Sequence, residues 1–198
     1  MSYAIIGAGA LGGALAKQFA RGKIKALITH RRGPASVQSE LEALAPIVNS
    51  VDVTDALDAE VIILAVPFGA IGDVAELRSH WADKIIVDAT NAIDFPGFTP
   101  MDLGGRPSSQ VVAAQFNGAK VVKAFNTLPA PVLAEDPSLR YGHRVIFISG
   151  DHHDANIQVA SLVISLGFSP IILGRLAEGG LLQQFRGPLG RHSLIKQH

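Results

Sequence analysis

The chain has 198 residues, 48% hydrophobic and 17% charged, with 17 basic and 17 acidic side chains and a formal net charge of zero. That is apolar material for one sizeable core and at most a small appendage. The charge balance excludes a general polyanion surface, so neither nucleic acid nor an anionic membrane is an expected partner. Cysteine is absent, which removes disulfides, thiolate catalysis and thiolate metal ligation and fits a cytoplasmic location.

Tyr3–Ile6 is a short apolar run with β-branched residues and reads as a buried strand. Gly7, Gly9 and Gly12 follow as G-x-G-x-x-G. A helical pattern begins at once, with Leu11, Leu15 and Phe19 toward one side and Gly22 at its close. Ile24–Thr29 is a second apolar run. Strand, turn, helix and strand within about thirty residues is the setting in which this glycine spacing signals a dinucleotide site. Gly7 permits the turn, Gly9 admits a pyrophosphate to the backbone, and Gly12 lets helix and strand approach. The helix start, Ala10 and Leu11 with Gly12, offers free N–H groups and a positive dipole end to the phosphates.

A site for NAD places Asp or Glu at the tip of the second strand, to accept from the ribose 2′-OH. Here no acidic residue occurs before Glu40, and the tip reads Thr29, His30, Arg31, Arg32. A guanidinium fork suits a phosphate. NADP(H) is therefore the expected cofactor, with Arg31 as main 2′-phosphate ligand, His30 and Arg32 assisting, and Thr29 able to add a hydroxyl. The bland alternative is a solvated basic corner before the Gly33-Pro34 turn.

Ser36–Ala45 reads as a helix with Val37, Leu41 and Leu44 inward, stopped by Pro46, and Ile47-Val48 as a short strand. Val61–Val66 is apolar throughout, as in a buried parallel strand. Its tip, Ala65, Val66, Pro67 and Phe68, is expected against the cofactor. A helix over Ile71–Trp81 and a strand over Lys84–Asp88 follow. Asp88, Thr90 and Asn91 form that strand's tip, and Asn91 either meets the nicotinamide carboxamide or ribose or caps a loop. Asp94–Pro107 is the longest loop, with Phe95, Phe98 and Met101 apolar enough to cover a flat ring or a neighbouring subunit. Ser108–Asn117 reads as a helix and Lys120–Phe125 as a strand, leading to Asn126-Thr127-Leu128-Pro129. Asn126 joins the cofactor-binding candidates, while Phe95, Phe98, Thr127 and Leu128 are substrate-side candidates. Arg144–Ser149 is a strand, Asp154–Leu166 a helix and Ser169–Leu173 the last strand.

His152 and His153 lack a third ligand at metal spacing; Asp151 to Asp154 reads as a helix entrance with an acidic cap, and no metal is expected. His80, His143, His192 and His198 have no constellation around them. Alternating strands and helices define an α/β, Rossmann-type doubly wound and mostly parallel sheet of about eight strands. It occupies residues 1–174. Residues 175–198 form a short tail, expected to touch the active site or a second subunit, and no large helical substrate domain follows.

Carbonyl reduction requires a proton donor. Neither Tyr3 nor Tyr141 opens a Y-x-x-x-K pair, and Lys123 and Thr127 are the only suspects. Lys123 and Asn126 have K-x-x-N spacing, but they bracket a strand end instead of lying on a helix. The missing acid–base pair favours hydride transfer to a flavin-type ring.

The segments IIGAGALGGALA at Ile5–Ala16, AVPF at Ala65–Phe68, DATN at Asp88–Asn91, VVKAFNT at Val121–Thr127 and GFSPIILGRLAEGG at Gly167–Gly180 resemble the coenzyme F420-dependent NADP oxidoreductase family. The chain is similar also to the cytosolic domain of the STEAP metalloreductases. The resemblance spans almost the whole chain. It implies a Rossmann-type domain, NADP(H) bound through His30, Arg31 and Arg32 at the second strand tip, and a homodimer. The family more often carries Ser or Thr directly before that Arg, so His30 is a departure, as is the short tail. Two functions are expected to compete: an NADP(H)-dependent oxidoreductase with a flavin or deazaflavin (F420-like) acceptor, and a non-catalytic NADP(H)-binding sensor or partner protein.

Overall fold

Fully apolar segments leave no face of the central strands for water, so the chain sandwiches its sheet between helices. The computed structural model describes residues 1–197, with Gln38 through its backbone only; His198 lies outside the described residues. In chain order the elements are β1 (Tyr3–Ile6), α1 (Ala10–Arg21), β2 (Ala26–Thr29), α2 (Gln38–Leu41), β3 (Val48–Ser50), α3 (Val53–Ala56) and β4 (Val61–Leu64). Then come α4 (Ile71–Ala75), β5 (Ile85–Asp88), β6 (Ile93–Asp94), β7 (Thr99–Pro100), α5 (Ser108–Ala113) and β8 (Lys120–Ala124). The chain continues through α6 (Ala130–Ala134), β9 (Ser138–Leu139), β10 (Gly142–Gly150), α7 (His153–Ser165), β11 (Ser169–Ile172), α8 (Gly179–Gln183) and β12 (Ile195–Gln197).

The main sheet runs β11-β10-β8-β5-β4-β1-β2-β3, matching the expected count of about eight strands, and the short β9 and β12 pair with β10. Strands β3 through β8 of that path are parallel; β10 is antiparallel to β8 and parallel to β11. Alternate residues feed opposite layers. Ile5, Ile63, Val87, Val122 and Ile148 join α1 and α7 in one core, whereas Ile6, Ile62, Ile86 and Val121 join α4, α5, Trp81 and Phe116 in the other. The order reverses between β1 and β4, and in a doubly wound sheet the crevice opens at that reversal, beyond the carboxyl ends of the strands.

Several helices are shorter than their patterns suggest. Residues 36–45 are not one helix. Val37 leaves helical geometry at φ −127°, separating a 3-10 turn at Pro34–Ser36 from α2, and a second 3-10 turn covers Glu42–Leu44. Val37 and Leu41 are buried as expected, but Leu44 is only partly so. The helix expected to reach Trp81 stops at Ala75, because the Trp81 indole N–H donates to the Ala75 carbonyl (3.1 Å) and folds the chain back. Trp81 then packs edge-on against Phe116, with ring centroids 5.0 Å apart. The helix from Ser108 likewise ends at Ala113, short of Asn117. The short strand lies at Val48–Ser50 and not at Ile47-Val48.

The loop from Asp94 folds into a small hairpin of β6 and β7 outside the main sheet. Asp151 does not cap α7: His152 occupies the N-cap with no side-chain bond, and Asp151 Oδ1 accepts from Leu176 N–H instead (3.1 Å). Residues beyond 174 are stitched into the sheet domain. Leu176 is buried, β12 pairs with β10, and Arg191 N–H donates to Thr127 O (3.0 Å).

Candidate functional site at the carboxyl edge of the sheet

Gly7 leaves β1 at φ +106°, a conformation that disfavours any side chain. A Cβ there would lie 2.5 Å from Ala65 O, and one at Gly12 would lie 1.9 Å from Gly7 O. These two glycines therefore let β1, α1 and the tip of β4 close on one another. A Cβ on Gly9 would meet nothing within 4 Å, so the backbone there faces open space. Gly9 makes no side-chain cap bond, and the first turn of α1 carries no acidic side chain. Its leading N–H groups have no partner inside the helix. An exposed, uncapped and unopposed helix start fits a pyrophosphate.

At the tip of β2, Thr29 is buried and its carbonyl accepts from Gly7 N–H (3.1 Å), which ties the strand to the glycine turn. His30 is turned inward: its Nδ1 lies 3.2 Å from the Arg32 backbone N–H and 2.9 Å from Ser36 Oγ. Arg31 and Arg32 are exposed, and among the described residues neither side chain has a hydrogen bond or ion pair. Two free guanidinium groups at this strand tip fit a 2′-phosphate. Val66 and Phe68 are partly buried and Pro67 is exposed at the tip of β4.

The tips of β5 and β8 hold a buried polar web. Lys123 and Asp88 are both fully buried and paired at 2.8 Å, and Lys123 Nζ also donates to Thr90 O (3.0 Å). Asp88 Oδ1 accepts from the Thr90 N–H (3.0 Å) and hydroxyl (2.6 Å). Lys123 is thereby removed as a proton donor, because its ammonium is sealed inside the protein with its charge satisfied. Thr127 is buried too. Asn91 and Asn126 share two hydrogen bonds, Asn91 Nδ2 to Asn126 O (2.9 Å) and Asn126 Nδ2 to Asn91 Oδ1 (3.1 Å). Asn126 is almost fully buried, and Asn91 is the member that reaches the surface.

Phe95 and Phe98 pack edge-on (5.2 Å), and Phe98 meets Phe185 of the tail at 5.9 Å. Phe95 and Phe98 are 66% and 52% exposed, an unusual placement for two clustered aromatics. Below them lies a pocket of about 210 Å³ lined by Ala92, Met101, Arg106, Ser108, Gln184 and Phe185. Ser108 Oγ is buried there without a partner among the described residues. Leu128 is buried and belongs to the core instead of this surface.

Three ionisation shifts lie at the opposite edge of the sheet. Burial raises the Tyr3 phenol, with the Glu60 charge adding to it. A hydrogen bond from the Ser2 backbone N–H lowers Glu60, helped by the amino terminus. The Lys120 ammonium lowers Asp154 through a hydrogen bond. Among the described residues no group of three or more metal-type ligands occurs, and no helix is long and apolar enough to cross a membrane.

Two participants escape a reading by motif. The buried Lys123–Asp88 pair had a signal: a lysine inside an apolar strand with both faces covered must find a counter-charge. Gln183 of α8, whose carbonyl accepts from Asn126 Nδ2 (2.6 Å), had none, because a single glutamine in a short tail carries no spacing.

Residues 2–92 match the family described as NADP oxidoreductase, coenzyme F420-dependent. Over 118 residues, 60% of this chain and 23% of the relative, the sequence is 31% identical to metalloreductase STEAP3 of Rattus norvegicus. The chain thus spans only 23% of that relative's length. Among solved structures, hypothetical protein SMa0349 of Sinorhizobium meliloti is 54% identical, with a TM-score of 0.97 over 100% of this chain and 96% of that one. A protein of Arthrobacter sp. FB24, provisionally an F420-dependent NADP reductase, is 27% identical with a TM-score of 0.72, covering 89% of this chain and 86% of that one. The resemblance read from the motifs and the Rossmann-type fold are both borne out.

Proposed function

We propose, on the match of residues 2–92 to the family described as NADP oxidoreductase, coenzyme F420-dependent, that the chain binds NADP(H) and passes a hydride between its nicotinamide and a flavin or deazaflavin acceptor. The observation that carries the cofactor is the open backbone at Gly9 together with Arg31 and Arg32, whose side chains have no partner among the described residues. Gly9, Ala10, Leu11 and Gly12 hold the pyrophosphate, and Arg31 and Arg32 hold the 2′-phosphate. His30 braces the turn that presents them. When bound, NADPH supplies the hydride.

The protein's part is to orient two flat rings and keep water away, which is most of what such a transfer needs. Asn91 addresses the nicotinamide carboxamide, with the tip of β4 from Ala65 to Phe68 beside the ring. The 210 Å³ pocket accepts one edge of a flat acceptor, with Phe185 as a wall. Lys123 is locked to Asp88 and offers no proton, which counts against carbonyl reduction. Phe95 and Phe98 are the surface on which a second copy of the chain would close the acceptor site, making the working form a homodimer. The cysteine-free sequence is in keeping with a cytoplasmic enzyme.

The test is anaerobic NADPH oxidation by the purified protein with F420, FMN and FAD offered in turn. Turnover with one of them is expected and names the acceptor class. Tight NADPH binding without turnover on any would replace this function with that of an NADP(H)-binding sensor. Light scattering on the same sample reads the dimer.

A further inference from the structure

We propose that Gln183, in the carboxy-terminal segment, is a positioning residue for the nicotinamide end of the cofactor, setting the direction of the Asn91 amide through Asn126. The proposal rests on the NADP(H) reading above. Gln183 is fully buried, and both polar atoms of its side chain are hydrogen-bonded. Its Oε1 accepts from the Ser149 hydroxyl (2.9 Å). Its Nε2 donates to Lys123 O (3.0 Å) and to Asn126 Oδ1 (3.3 Å). Its backbone carbonyl accepts from Asn126 Nδ2 (2.6 Å).

These bonds have a direction. Because Gln183 Nε2 reaches Asn126 on its oxygen side, the Asn126 amide must turn its nitrogen toward Asn91 Oδ1 and Gln183 O. Asn91 Oδ1 is thereby assigned as the acceptor, and Asn91 Nδ2 falls on Asn126 O. Reversing any one amide would set oxygen against oxygen or N–H against N–H in a buried setting. Asn126 has then spent both N–H groups. Asn91 has spent one N–H and one lone pair, keeping one of each. A nicotinamide carboxamide presents the complementary pair, one carbonyl and one amino group. Asn91 is also the member that reaches the surface, at the tip of β5.

Glycines bring the segment close enough for Gln183 to do this. A Cβ on Gly179 would lie 2.3 Å from Ser149 Oγ, and one on Gly180 2.5 Å from Ser109 Oγ. The cofactor's two ends are then held by different parts of the chain, the adenosine end by residues before 33 and the nicotinamide end by residues fixed from 183.

The test uses the full chain and two probes in calorimetric titrations: NADPH, and adenosine 2′,5′-bisphosphate, which lacks nicotinamide. Gln183→Met keeps the shape and removes the amide. It is expected to weaken NADPH about tenfold while leaving the bisphosphate within about twofold. Gln183→Glu places a second oxygen against Asn126 Oδ1 and Lys123 O and is expected to cost more. Ser149→Ala removes the far end of the relay and is expected to act in the same direction, more weakly; it carries the test if the Gln183 variants do not fold. Unchanged bisphosphate affinity certifies the fold. Equal loss of both ligands would make Gln183 structural only, and unchanged NADPH affinity would also overturn the proposal. Wild-type protein that bound neither probe would instead overturn the cofactor reading itself, and this one with it.

Discussion

At the β1–β2 end of the crevice the chain presents backbone, a glycine turn and an uncapped helix start, beside two guanidinium groups without a partner among the described residues. At the β5–β8 end it presents side chains bonded to one another across long sequence separations, Asp88 to Lys123 and Asn126 to Gln183 among them. The first end is a property of one contiguous unit of about thirty residues. The second exists only when β5, β8, β10 and the tail have assembled. A backbone site is damaged by adding atoms, whereas a side-chain web is damaged by removing them.

Four changes probe that contrast. Asp88→Ala leaves the Lys123 ammonium buried and unpaired, and is expected to destabilise the protein by about 3–5 kcal/mol in urea unfolding. Replacing both members with apolar residues of similar size should restore most of it; no recovery would mean that the pair contributes more than mutual neutralisation. Gly12→Ala adds a single carbon 1.9 Å from Gly7 O. It is expected to cost about 3 kcal/mol and to abolish NADPH binding, since the turn cannot close. A variant that binds NADPH normally would contradict the cradle geometry.

Arg31→Ala should leave the fold intact and weaken NADPH about 10- to 100-fold, with NADH changed by no more than about twofold. Arg32→Ala should follow the same pattern more mildly. Equal loss of both nucleotides would remove the 2′-phosphate assignment.

The smallest effect is expected at the far edge of the sheet. The Lys120 ammonium holds the Asp154 carboxyl below its usual value of 3.8. A group depressed in the folded state contributes stability that is complete above the ordinary value and is lost as pH falls through the folded one. Asp154→Asn should therefore lower Tm slightly at pH 7 and not at all well below pH 3, as read by thermal melts at both. An equal deficit at both pH values would show that the charge is not responsible.

The eight strands, the glycine turn and the basic tip of β2 were legible because each depends on neighbours in sequence. Apolar runs marked Val61–Leu64 and Ile85–Asp88, and the absence of acid before Glu40 singled out the β2 tip. Helix lengths were less legible. Nothing local to Ile71–Ala75 announces that the Trp81 indole will cap it. Lys123 was visible as a suspect residue, but its role reversed once Asp88 proved to lie 2.8 Å away. Gln183 was silent, and Asn91 read equally as loop cap or ligand, its two bonds to Asn126 being visible only in the structure.

By itself, then, the sequence determined the alternation of strands and helices, the glycine turn and the sign of charge offered beside it. Hydrophobic period, glycine spacing and residue charge are short-range quantities. Only the tertiary structure decided which polar groups are spent on each other and which remain for a ligand. That division depends on burial and hydrogen-bond direction between residues 35 to 60 positions apart, and a buried donor must find its acceptor wherever the chain has brought one.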